Sequence, residues 1–166
     1  MAFLEAITRH RFRIRGLISE IPRGIPISLM PFDSQVVSRA RDWVVVFRNS
    51  GNTPDGTGVP DYIHVVDLAA GHAAALDHLS PGLKIYNLGT GRGSSVVDAI
   101  RTFAKVCGKP APYRQDLLRV GDVASPTADI SKAERLPGWW ARRTLEDACR
   151  DALRWQSDNP SGHLGD

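Results

Sequence analysis

A chain of 166 residues fits one ordinary domain or a piece of a larger one. Hydrophobic residues make up 42% and charged residues 23%, which excludes a disordered composition. The formal charge of +3, with a pI near 9.1, is a mild excess and a weak argument for nucleic acid.

The densest basic run, Arg9 to Arg15, reads as a solvated or frayed terminus rather than a nucleic-acid arm. No apolar run approaches the roughly 18 residues of a membrane span. The first residues lack the charged-then-apolar order of a signal peptide. Cys107 and Cys149 match no metal-ligand spacing and read as buried free thiols in a reducing compartment. A cytoplasmic setting is the remaining expectation.

In chain order, residues 1–16 read as a short unmatched helix, and Pro22, Gly24 and Pro26 then forbid regular structure. Leu29, Phe32, Val36 and Val37 recur at helical spacing. Trp43 to Phe47 is a β-rich run. Residues 48–60 form a loop crowded with Asn, Gly and Pro. The Ala- and Leu-rich stretch from Val65 reads as a helix ended by Ser80-Pro81-Gly82.

Leu83 to Gly89 reads as a buried strand, followed by a Gly-rich turn. Ser94 and Ser95 are N-caps for a helix whose Val96, Ile100, Phe103 and Cys107 share a face and whose stop is Gly108. Ala111 to Gln115 reads as a strand. Asp116 to Ile130 is irregular, and Ser131 to Arg135 is at most one helical turn. Thr144 and Asp147 give a capping-box-like start to a last helix with Leu145, Ala148, Ala152 and Trp155 inward. The tail from Ser157 frays.

The loop Leu88 to Ser95 invites a nucleotide reading. Its Gly89, Gly91 and Gly93 have the spacing G-x-G-x-G, whereas the dinucleotide fingerprint is G-x-G-x-x-G with an acidic residue further on. A tight turn into a helix is the competing reading, and the better one. His72 and His78, six apart, share no helix face, so no zinc site follows. No nucleophile elbow and no Walker loop are present.

The junction Asp61-Tyr62-Ile63-His64 and the segment Arg119 to Asp122 remain. A guanidinium grips phosphate through parallel N–H bonds, a carboxylate accepts from sugar hydroxyls, and an aromatic face stacks on a base. Arg119, Asp122, Tyr62 and Phe47 make a nucleotide-sugar pocket if the fold gathers them. Surface ion pairs and core packing are the competing reading.

From Gly16 onward the stretches "GIPISLMPF", "TPDGTGVPDYIHVVDLAAGHAAALD", "IYNLGTGRGSSVVDAI", "GKPAPY", "GDVASPTADISKAER" and "TLEDACRDALRWQSDNP" come in the order and spacing of one family. They resemble the C-terminal half of the UDP-glucose 4-epimerase family, extended short-chain dehydrogenase/reductases. The resemblance implies a partial α/β fold: the substrate-binding part, with a few short strands and about four helices, and the cofactor-binding Rossmann sheet missing. It implies an epimerase-like region at 17–158, a frayed tail at 159–166, and a chemistry that interconverts UDP-galactose and UDP-glucose in galactose metabolism. NAD serves as hydride carrier in the family, and none is expected to bind this chain alone.

The substrate residues it implies are Phe47 against the uracil, Leu29 near the nucleotide, Asp61 and Tyr62 at the pocket wall, Arg119 on the diphosphate and Asp122 on the ribose. No catalytic residue carries over, because no Tyr is followed four residues later by Lys. The implied partners are UDP or a UDP-sugar, a separate N-terminal Rossmann half, and a second copy of the chain through its uncovered strand. Membrane and nucleic acid are not expected.

Departures from the family pattern bear on binding. Ser28 stands where a ligand-contacting Asn is usual, Pro60 where an Arg grips phosphate, and Pro126 where a Tyr is usual. Arg48 and Gly51 replace a Gly and a Tyr. Losing one charge-assisted phosphate contact costs on the order of 1.5–3 kcal/mol. Three readings therefore stand: the UDP-sugar half of an epimerase, inactive alone; a non-catalytic UDP-binding module; or a truncated product without function.

Overall fold

The computed structural model describes residues 42–48, 53–117 and 128–159. The readings at residues 1–41, Leu29 and Ser28 among them, lie outside these residues, as do those at Gly51, Arg119, Asp122, Pro126 and 160–166. The described elements run β1 (Val44–Phe47), α1 (Val65–Asp77), α2 (Val96–Cys107), β2 (Tyr113–Asp116) and α3 (Leu145–Asp158).

β1 and β2 pair in parallel, Val44 opposite Tyr113 and Phe47 opposite Asp116. Parallel neighbours need a crossover, and α1 and α2 both lie within it. β1 alternates strictly: Val44 and Val46 are buried, while Val45 and Phe47 are exposed. Asp116, read from sequence as irregular, closes β2 instead.

Behind the sheet, α2 fills the core with Val97, Ile100 and Phe103. α3 covers it with Cys149 and Ala152, and Ala111 completes the cluster. The helix boundaries follow from local chemistry. Ser95 accepts the Asp98 N–H at 3.0 Å to start α2, and Gly108 ends it in the left-handed region at φ 65°. Thr144 and Asp147 form a reciprocal capping box at the start of α3. That helix continues to Asp158, so the fraying expected from Ser157 begins too early.

A second cluster gathers Ala133, Leu136 and Trp139 against Ile63, Ala74, Ala75, Tyr86 and Leu88. Residues 131–138 form successive turns rather than a helix. Gly71 of α1 lies under Trp139: a Cβ there would stand 2.8 Å from the indole.

Two expectations are corrected. Leu83 to Gly89 is not a buried strand. Tyr86 and Leu88 turn toward the second cluster, but Leu83 and Ile85 are 88% and 64% exposed, because nothing among the described residues pairs with this segment as a sheet neighbour. Cys149 is fully buried, yet Cys107 is only half-buried, as the last residue of α2 at the rim of the core. Neither is in a disulfide.

Candidate functional site

The segment Asp61 to Asp67 carries a polar residue at every third position, and all three are buried: Asp61, His64 and Asp67. A buried polar group must find partners, and each of these reaches a different part of the chain. Together they fix the entry to α1 in three directions.

Asp61 reaches the Gly-rich turn. Its Oδ2 accepts the Gly91 N–H at 2.8 Å, and both carboxylate oxygens accept the Thr90 N–H, at 3.0 and 2.9 Å. The Thr90 hydroxyl donates to Oδ1. A Cβ on Gly89 would lie 2.6 Å from Oδ2, so the carboxylate needs glycine there to enter the turn. Gly91 adopts φ 70° beside it. The turn that invited a phosphate reading thus spends its amides on a side chain of the same molecule. These residues do not fit a dinucleotide pyrophosphate.

Asp67, in the first turn of α1, reaches the approach to α3. Its Oδ2 accepts the backbone N–H groups of Arg142 and Arg143 at 2.8 and 2.7 Å, and the Arg143 guanidinium donates to Oδ1. The Asp67 carbonyl accepts from the Trp139 indole at 2.8 Å.

His64 is the N-cap of α1. Its Nδ1 accepts the Val66 N–H at 3.1 Å. That contact leaves the proton on Nε2, which is enclosed and lies 3.4 Å from Asp151 Oδ2 on α3, too poorly aligned for a proper hydrogen bond. Burial holds the imidazole below the ordinary histidine range, opposed chiefly by the charge of Asp151.

A backbone ladder connects this junction to β1. Arg48, just past Phe47, bridges Thr57, and Asp61 bridges Gly93. Between them, Val96 donates to the Gly58 carbonyl and Ser94 to the Pro60 carbonyl, each at 3.0 Å. Asp55 braces the ladder: it accepts from the Thr57 amide at 3.0 Å and hydroxyl at 2.6 Å, and from the Ser95 hydroxyl. Burial pushes Asp55 up, but these hydrogen bonds outweigh it and hold the carboxyl below its usual range.

Of the six residues singled out in the sequence, Phe47, Asp61 and Tyr62 are described. Phe47 sits on the exposed face of the sheet with Trp43 and Val45, and the guanidinium of Arg114 stacks on Trp43 at 3.6 Å. Tyr62 is half-buried at the far end of the ladder, between Asp61 and α1. Leu29, Arg119 and Asp122 lie outside the described residues.

The sequence reading missed Asp67, Thr90 and the role of His64. The i, i+3, i+6 spacing of Asp61, His64 and Asp67 was the available signal, since an apolar run rarely tolerates three buried polar residues without a structural use. Among the described residues, no helix is long and apolar enough to cross a membrane, and no three metal-ligating side chains cluster.

No protein-family model matches the chain. It is 51% identical over 150 residues to the UDP-glucose 4-epimerase of Bacillus subtilis, covering 89% of this chain and 44% of that protein. The human UDP-glucose 4-epimerase is 50% identical over 149 residues, covering 89% and 43%. The UDP-glucose 4-epimerase of Bifidobacterium longum, solved with NAD+ and UDP, superposes with a TM-score of 0.84 at 46% identity, over 90% of this chain and 45% of that one. The enzyme from Stenotrophomonas maltophila, solved with NAD and formylated UDP-arabinopyranose, gives 0.79 at 44% identity, over 86% and 43%.

The fold is therefore that of a part of the NAD-bound epimerases of short-chain dehydrogenase/reductase type. Within that class the chain is a homologue of the UDP-glucose 4-epimerases, and it spans less than half the length of the curated relatives it matches.

Proposed function

We propose that this chain is the UDP-sugar-binding half of a 4-epimerase, formed by residues 17–158 and inactive without a cofactor-binding half. The observation that carries the reading is the 51% identity maintained over 150 residues with a UDP-glucose 4-epimerase. The UDP and UDP-sugar bound in two solved relatives support it further. The ladder from Phe47 to Tyr62 is a rigid support for such a pocket, because buried side chains brace it at Asp55 and Asp61.

In this proposal Phe47 lies against the uracil, Leu29 near the nucleotide, Tyr62 at the wall, Arg119 on the diphosphate and Asp122 on the ribose. Asp61 contributes to the wall by fixing its backbone. NAD belongs to the other half: the Gly-rich turn here is committed to Asp61, and the chain has no Tyr-x-x-x-Lys pair to move the proton of the sugar hydroxyl. What this chain's residues supply is binding and orientation.

Supplying a separately expressed N-terminal half of a homologous epimerase together with NAD, then assaying UDP-galactose conversion, tests the reading. Conversion that requires both halves supports it. UDP binding without conversion favours a non-catalytic module, and neither outcome would leave a product without function. Pro60 in place of a phosphate-gripping Arg, with Ser28 and Pro126, favours a truncated product without function over a non-catalytic binding module.

A further inference from the structure

His64 is held by a hydrogen bond at one end of its ring and is enclosed at the other. Nδ1 caps α1 through Val66, Nε2 faces Asp151, and the side chain has no exposed surface. Two residues before it, Tyr62 stands on the wall assigned to the nucleotide. Three residues before it, Asp61 is clamped into the turn of Thr90 and Gly91. Tyr62 and Ile63 are therefore suspended between two fixed points, a clamped carboxylate and a histidine cap.

We propose that His64 is a positioning residue for this wall: its neutral imidazole, accepting the Val66 N–H, holds Tyr62 in place, and a second ring proton releases it. The inference rests on the reading of Tyr62 as nucleotide wall. The physical reason is a conflict of donors. A protonated ring carries N–H at both nitrogens, so Nδ1 would present a donor to the Val66 donor now 3.1 Å away, at the positive end of a helix.

The ring cannot resolve that conflict by swinging outward, because it is enclosed. The backbone from Asp61 to His64 must move with it. The charged groups facing the ring pull in opposite directions. Asp151 on α3 and Asp67 on α1 favour the proton, while Arg143, in the approach to α3, opposes it. Asp151 faces Nε2 and favours the added charge, and the cost of the second proton, which enters at Nδ1, falls on the cap.

The test is nitrogen NMR of the full chain from pH 8 to pH 5, with UDP affinity measured at both ends. At pH 8 the ring is expected to carry its proton on Nε2 alone. On acidification the amides of Tyr62 and Val66 should shift together with the ring's own nitrogens, and UDP affinity should fall about fivefold, the scale of one lost helix cap. His64→Asn, which keeps a capping oxygen but cannot titrate, should hold its affinity level across the range.

A ring protonated on Nδ1 at pH 8, or a titration that leaves the Tyr62 and Val66 amides unmoved, overturns the proposal. If His64→Asn does not fold, the ring and amide comparison in the unmodified chain still decides. If UDP binds at no pH, the nucleotide reading fails, while the same comparison continues to decide whether His64 positions Tyr62.

Discussion

The carboxylate of Asp61 occupies the space that a side chain at Gly89 would need, with Oδ2 2.6 Å from where that Cβ would stand. The neighbour is the rigidly held end of a short side chain that also accepts from Thr90 and Gly91, so it cannot step aside without losing those bonds. Gly89→Ala is expected to destabilise the chain by about 1–3 kcal/mol, the usual cost of overpacking. Urea denaturation followed by circular dichroism measures it. A neutral effect would mean that the Asp61 clamp is loose.

Gly71 poses the same question inside a helix, where the two effects oppose each other. Replacing an interior helical Gly by Ala normally stabilises by about 0.8–1 kcal/mol. Here the new methyl would meet the Trp139 indole at 2.8 Å, and that indole is tied to the Asp67 carbonyl through Nε1. The clash, worth about 1–3 kcal/mol, should win. Gly71→Ala is predicted to lower the melting temperature, whereas Ala70→Gly on the exposed face should lower it through propensity alone.

At the start of α3, backbone and side-chain hydrogen bonds from Thr144, then the Arg150 pair, hold the Asp147 carboxyl down at about 2, against an ordinary 3.8. A depressed carboxylate contributes stability above its unfolded pKa and loses it as the pH falls toward the folded value. The contribution is thus complete above about pH 4 and lost between there and pH 2. Thr144→Ala removes the cap, with an expected cost of about 1 kcal/mol at neutral pH. It should also return the Asp147 midpoint toward the ordinary value in a carboxyl-carbon NMR titration. An unchanged midpoint would contradict the capping geometry.

Local structure was legible in the sequence wherever short-range chemistry decides it. Ser95 and Gly108 bracket α2 as their residue types require, and Thr144 with Asp147 starts α3. The β1 run reads correctly to within a residue because three valines and Phe47 mark it, whereas β2, YRQD, offers only Tyr113 and is displaced by one or two residues. Leu83 to Gly89 misled because an apolar extended run reads the same whether or not a neighbour pairs with it. The Gly-rich turn could be recognised as a turn, but not as the seat of Asp61, because that contact spans some thirty residues. Of the candidate site, Phe47 and Tyr62 were visible as residue types. The bracing by His64 and Asp67 depends on which residues are buried, and that is a tertiary property.

The exposed apolar residues Leu76, Leu79, Leu83 and Ile85 lie at the end of α1 and along the segment that follows it. Contiguous apolar surface beside an unpaired extended segment promotes association. Sedimentation velocity of the isolated chain is expected to show oligomers that dissociate in Leu83→Lys/Ile85→Lys. A monomer at all concentrations would show that this surface needs no cover.

A UDP titration followed by amide NMR, without NAD, tests the central claim most directly. The account predicts saturable shifts that include Phe47 and Tyr62, and an affinity weakened roughly tenfold to hundredfold in Arg119→Ala, as expected for one charge-assisted phosphate contact. A well-dispersed spectrum that does not respond to UDP would contradict it and leave the likeness to the epimerases as one of descent without binding.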